Sequence, residues 1–119
     1  MITGIGIDIV ELARIDKLIK QQPRFVSRIL TPGEQETYRR LPHHRSIEFV
    51  AGRFAAKEAF VKAVGTGISK QVGWQDIEIS NDHFGKPVVS YPTEDYIHLS
   101  ISHSKEYAIA QVVIERLSS

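Results

Sequence analysis

FAAKEAFVKAVGTG, residues 54 to 67, decides the fold of this chain. At about 100° per residue, Ala55, Ala56, Ala59, Phe60, Ala63 and Val64 form one apolar stripe, which predicts a core helix. Phe54, Glu58 and Lys62 follow at four-residue steps along its border, and Lys57 adds a third charge. Gly65-Thr66-Gly67 ends the run, because a glycine pair there favours a left-handed turn over another helical one. Glu58 and Lys62 therefore project side by side. That spacing suits a surface ion pair worth about 0.3–0.5 kcal/mol, and it equally suits an acid and a base aimed into a shared site.

Working back towards the N-terminus, the same helix is predicted to begin near Ser46, which makes it roughly 28 Å long and the spine of the fold. His43-His44-Arg45 reads as a polar link after Pro42. Adjacent loop histidines seldom turn both rings to one ion, so no metal site is expected there. Thr31-Pro32-Gly33-Glu34 is a helix start, with Thr31 capping, Pro32 at the first helical position and Glu34 able to complete a capping box. That helix should run to Leu41.

Residues 2 to 10, ITGIGIDIV, alternate as a strand, with Ile5, Ile7 and Ile9 on one face and Gly4, Gly6 and Asp8 on the other. The two glycines either let another backbone pack closely or clear space for a ligand at the Asp8 carboxylate. A helix over residues 11–21 follows, turning Leu12, Ile15, Leu18 and Ile19 inward and Arg14, Lys17 and Lys20 outward; Pro23 ends it. RFVSRIL continues in helical period and exposes Arg24 and Arg28. With Arg14 these form a docking strip or a solvated basic face.

Beyond the glycine turn the period changes to that of strands. Residues 74–79 and 87–91 are predicted to pair around a turn at 81–85, with Pro87 tolerated at a strand start. Residues 97–103 and 107–115 form a second hairpin bent at Ser104-Lys105-Glu106. His98, Ser100 and Ser102 share one face, and His103 lies at the strand end. The class is α+β, a long central helix packed on a mostly antiparallel sheet.

A chain of 119 residues with 42% hydrophobic content is one domain, spanning 1–119. The absence of cysteine excludes a disulfide framework and thiolate zinc, leaving oxygen and nitrogen chemistry. No basic leader precedes an apolar run and no eighteen apolar residues follow one another, so a soluble, unexported, cytoplasmic protein is expected. The net charge of +1 is unevenly divided. Residues 1–70 hold 12 Lys and Arg against 7 Asp and Glu, and residues 71–119 hold 3 against 7. The basic half suits an anionic cofactor, an acidic protein or nucleic acid. An RNA-binding role lacks an aromatic stacking pair on the strands, and Asp8, Glu58 and Lys62 would also serve another magnesium-dependent phosphate-transfer enzyme.

GIGIDIVEL, LTPGE, FVAGRFAAKEAFVKAVGTG, WQDIEISND, GKP and HLSISHS occur in that order, and this set resembles the holo-acyl carrier protein synthases, a branch of the 4'-phosphopantetheinyl transferases. Val64 and Ile7 depart from common family choices, without touching the ionisable positions. The resemblance implies the 4'-phosphopantetheinyl transferase fold and transfer of the phosphopantetheine arm of coenzyme A to a serine of apo acyl carrier protein in fatty acid biosynthesis. It implies Mg2+ held by Asp8 and Glu58, with Lys62 on the phosphates, these three being the catalytic residues. The base is either Glu58 itself or a water held by the two carboxylates, the latter favoured. Arg53, Lys62, Gly65, Thr66, Gly67, Lys86, Pro87, His103 and Ser104 are implied at coenzyme A, with the glycine turn supplying backbone and hydroxyl donors. Arg14, Arg24 and Arg28 are implied to dock the carrier protein. A homotrimer with sites at subunit boundaries, and no nucleic-acid or membrane partner, completes the expectation.

Overall fold

The computed structural model describes residues 1–117, so the last two residues of the expected 1–119 domain lie outside the described ones. Strand β1 (Ile2–Glu11) is followed by helices α1 (Leu12–Gln21), α2 (Phe25–Ile29), α3 (Pro32–Arg40) and α4 (His43–Val64). A 3-10 turn (Trp74–Asp76) leads into β2 (Glu78–Asn81), β3 (Pro87–Ser90), β4 (Tyr96–His103) and β5 (Tyr107–Glu115). β5 is the centre of an antiparallel sheet ordered β1-β5-β4, and β2 and β3 form a separate hairpin. The first and last strands therefore pair, with Asp8 opposite Ala110.

One face of the three-stranded sheet lies against α4. Ala108, Ala110, Val112 and Ile114 of β5 and Leu99 of β4 are buried there, meeting Ala55, Ala56, Ala59 and Phe60. On β1 the residues facing the helix are Gly4, Gly6, Asp8 and Val10. A Cβ on Gly6 would sit 1.9 Å from the Ala59 carbonyl oxygen, and one on Gly4 2.0 Å from that of Ala63. Close backbone packing is thus what the glycines permit, and they bring the Asp8 strand hard against the helix. Ile5, Ile7 and Ile9 consequently point away from the core and are 58–63% exposed.

Two expected boundaries change. His43-His44-Arg45 is the first turn of α4 and not a link, because Pro42 takes the N-cap position and Ser46 N bonds back to Pro42 O at 2.8 Å. The helix accordingly has 22 residues, about 33 Å. Residues 74–76 are a 3-10 turn and not strand: Asp76 Oδ2 accepts from Gly73 N at 2.7 Å, curling the chain, while Trp74 stacks on Phe54 at 5.3 Å. The start of α3 forms as expected, with both bonds of the Thr31/Glu34 capping box in place. Val64, assigned to the apolar stripe, is 41% exposed at the helix end. Among the described residues no helix is long and apolar enough to cross a membrane.

Candidate active site

Asp8 leaves the inner face of β1 just beyond Gly6, where the strand is closest to α4. Lys62 reaches across from the helix, its ammonium 2.9 Å from Asp8 Oδ1 and 3.1 Å from Ile7 O. The lysine thus bonds the strand and not Glu58, its neighbour one turn back. Asp8 is largely buried and Lys62 half exposed, so the pair sits at the mouth of the helix–strand cleft.

Glu58 is partly buried on the same border of α4. Burial pushes its carboxyl above the usual carboxylate range, and the charge of Asp8 pushes in the same direction. Lys62 and Arg14 pull it back. Strand, helix and α1 therefore converge on one electrostatic site: two carboxylates, one ammonium and one guanidinium. Arg14 is held there partly by the Phe54 ring, 5.9 Å below its guanidinium carbon.

The donor set fits a hard divalent cation. Asp8 and Glu58 offer carboxylate oxygens, and their mutual repulsion is what a shared cation would relieve. Among the described residues no group of three His, Asp or Glu forms a complete protein cage. Magnesium suits such a sparse set, since it keeps water and substrate phosphate oxygens among its ligands.

The glycine turn has left-handed backbone at Gly65 (φ 95°) and Gly67 (φ 65°). The amides of Gly65, Thr66 and Gly67 all bond to Val61 O, at 2.9, 3.2 and 3.3 Å, and the Thr66 hydroxyl donates to Gly67 O. In this conformation those donors close the helix instead of facing a ligand. Space around Gly65 and Gly67 is nevertheless open, with nothing within 4 Å of a built Cβ.

Arg53 and His103 form a second cluster. Arg53 lies about 140° round α4 from Glu58, buried against the Phe49 ring and donating to Asn81 Oδ1 at 2.9 Å; its Nε is buried without a partner among the described residues. His103 Nε2 lies 3.0 Å from Glu48 O and packs over Gly52. A cavity of about 250 Å³ opens between Arg45, Arg53, Asn81 and His103. Pro87 pairs with Asn81 at the start of β3, and Lys86 precedes it on the turn that Asp82 Oδ1 holds by accepting from Phe84 N and Lys86 N, both at 2.9 Å. Ser104 shapes the β4–β5 bend, its Oγ accepting from Tyr107 N at 3.0 Å. Arg28 is exposed on α2 and Arg24 at its N-cap.

Within one chain, then, Asp8, Glu58, Lys62 and Arg14 come together, and Arg53 and His103 meet on another flank of the helix. Sequence reasoning missed two features. Arg14 bears on Glu58 as well as on the surface, a long-range relation with no local signal. Lys57 is wholly buried, and here a signal existed: its helical neighbours Phe54, Phe60 and Val61 are apolar.

Lys62 bonded to a strand-borne Asp8, with Glu58 on the same helix border and a cavity lined by Arg45 and Arg53 on another flank, suits the chemistry of phosphate groups. The model of the 4'-phosphopantetheinyl transferase superfamily matches residues 4–112, and the chain belongs to that family. A holo-[acyl-carrier-protein] synthase of Halalkalibacterium halodurans is 61% identical over 119 residues, covering 100% of both chains. The crystal structure of a holo-(acyl-carrier-protein) synthase from Bacillus anthracis, in complex with CoA (3',5'-ADP), is 58% identical with a TM-score of 0.92, covering 97% of each chain. That of Neisseria meningitidis is 39% identical with a TM-score of 0.88, covering 98% of this chain and 100% of its own.

Proposed function

We propose that this enzyme transfers the 4'-phosphopantetheine of coenzyme A to a serine of apo acyl carrier protein, releasing adenosine 3',5'-bisphosphate, as a step that equips fatty acid biosynthesis. The observation that carries the reading is the Lys62 bridge to Asp8 beside a Glu58 whose ionisation burial and Asp8 oppose. Identity of 61% over 119 residues to the Halalkalibacterium halodurans synthase supports the same substrates.

Asp8 and Glu58 would hold Mg2+, which when bound neutralises charge on the pyrophosphate as it is cleaved. A water held by Asp8 and Glu58 takes the proton of the attacking serine, with Glu58 itself as the alternative acceptor. A bond forms from the serine oxygen to the phosphorus bearing the pantetheine arm. The bridging P–O bond breaks, and its electrons leave with adenosine 3',5'-bisphosphate. Lys62 spends two of its three donors on Asp8 and Ile7 O and is half exposed, which leaves one donor to stabilise the leaving phosphate. Arg53, His103, Lys86, Pro87 and Ser104 are the residues we assign to the nucleotide end. Gly65, Thr66 and Gly67 are assigned to close approach of the phosphates after their amides turn from Val61 O.

The Asp8 and Arg53 clusters lie on different flanks of one helix, which favours a site completed by a second copy. The outer sheet face offers the contact, as Ile5, Ile7, Ile9 and Ile109 form an exposed apolar patch. We therefore assign one transferase domain over residues 1–119, a homotrimer, and the cytoplasm as its place of action. Incubating apo acyl carrier protein with coenzyme A and Mg2+ should raise the carrier's mass by one phosphopantetheine. An unchanged carrier mass with active substrates would refute the reading.

A further inference from the structure

Lys57 is a charge that the transfer reaction leaves without a task. It is 0% exposed, and its ammonium donates to Glu34 Oε1 at 2.7 Å, Ile29 O at 2.8 Å and Trp74 O at 3.0 Å. All three of its hydrogens are committed. Glu34 is equally engaged, Oε1 accepting also from Thr31 N at 2.8 Å and Oε2 from Ile79 N at 2.7 Å. The LTPGE, KEA and WQDIEI motifs thus meet at one buried ion pair, which ties α4 to the end of α2, the start of α3, the 3-10 turn and β2.

Such a pair is a poor source of stability, because desolvation of two charges offsets their attraction and an apolar pair often does as well. It is a good source of geometry. Directional bonds to Ile29 O, Trp74 O, Thr31 N and Ile79 N admit one rotation of α4 about its axis. Glu58 follows Lys57 directly, and Ala59, whose carbonyl oxygen presses on Gly6, follows Glu58. A point anchor and a backbone contact therefore bracket Glu58, about 100° to either side. The bracket has a force to resist, since the like charges of Asp8 and Glu58 repel until they share a cation.

We propose that the Lys57–Glu34 pair is a positioning device that holds Glu58 at Asp8 by fixing the rotation of α4. The proposal rests on the reading of Asp8 and Glu58 as the metal pair. Two variants test it: Lys57→Met, which leaves Glu34 its two amide donors, and Lys57→Met with Glu34→Gln, which removes both charges and carries the test should the single variant not fold. In variants shown folded by circular dichroism, kcat, the KM for carrier protein, and the Kd for Mn2+ by electron paramagnetic resonance are measured, Mn2+ taking the same oxygen ligands as magnesium. A kcat at least tenfold lower and an Mn2+ Kd at least fivefold higher, with carrier KM within twofold, are expected. A folded variant with kcat and Mn2+ Kd both within twofold of the parent would show the pair to be structural only. Failure of the proposed reaction would look different: the parent protein itself would move no phosphopantetheine, while Mn2+ binding would still report on the anchor.

Discussion

Lys62 bonds Asp8 at 2.9 Å across the helix–strand cleft, although Glu58 stands one helical turn from it on the same border. A pair that helical spacing marks as an ornament of one surface is in fact split between two partners. Removing the lysine should therefore strike chemistry harder than stability. Lys62→Ala is expected to lower kcat about 10²–10³-fold, in the range of a lost charge stabiliser, and to cost about 1 kcal/mol or less of stability for a half-exposed pair. Release of adenosine 3',5'-bisphosphate and urea unfolding measure the two effects.

Burial and, after it, the charge of Asp8 raise the Glu58 pKa, so Asp8→Asn should bring it part of the way down towards 4.5 in metal-free protein. Side-chain carboxyl carbon shifts across a pH titration would follow it. The sign for stability is fixed as well: a raised carboxyl pKa lets the folded state hold its proton to higher pH than the unfolded chain. Its stabilising contribution is complete below 4.5 and is lost as pH rises through the raised value. The parent should lose stability relative to Glu58→Gln over that window, and a parent that gained on Glu58→Gln as pH rose would contradict the burial of Glu58.

Gly6→Ala places a methyl 1.9 Å from the Ala59 carbonyl oxygen, a backbone atom that cannot swing aside. Strand and helix must part, at a cost of about 1–3 kcal/mol or more. Because the contact adjoins Glu58, transfer should fall beyond what the loss of folded protein explains. Gly65→Ala offers the contrast: it meets open space but a φ of 95°, so it should cost only about 1 kcal/mol.

Ile7→Glu puts a charge in the middle of the exposed isoleucine face, directly opposite Gln111. The monomer fold has little reason to change, since Ile7 is 59% exposed. Light scattering after size exclusion should show a monomer with parental circular dichroism and depressed transfer. A trimer that survived would move the interface elsewhere.

Arg14→Glu and Arg28→Glu should differ although both reverse a basic side chain. Arg28 is exposed on α2, and its reversal should raise only the KM for carrier protein, with a weaker salt dependence. Arg14 also bears on Glu58, so its reversal should push the Glu58 pKa further up and lower kcat too.

Helix, turn and strand assignments were open to sequence reasoning because they depend on periods and caps a few residues long. The capping box at Thr31, the left-handed stop at Gly65 and the alternation of 97–103 all belong to that class. The first turn of α4 and the 3-10 turn at Trp74 were not legible. Each turns on a local bond, at Pro42 O and Asp76 Oδ2, that competes with an equally plausible pattern. Asp8, Glu58 and Lys62 were legible as candidates, first by their places on strand and helix and then through the resemblance of whole motifs.

By itself the sequence determined an α+β chain with a long alanine-rich helix, a glycine-bearing strand ending in Asp8, and charges at four-residue steps. Only the tertiary structure decided what those charges meet. Lys62 turned to the strand because Gly4 and Gly6 let β1 approach the helix backbone, and Lys57, whose apolar helical neighbours signal burial but name no partner, found three acceptors from distant segments. Helical spacing fixes direction around one axis, whereas a partner fifty residues away is chosen by the packing of that axis against everything else.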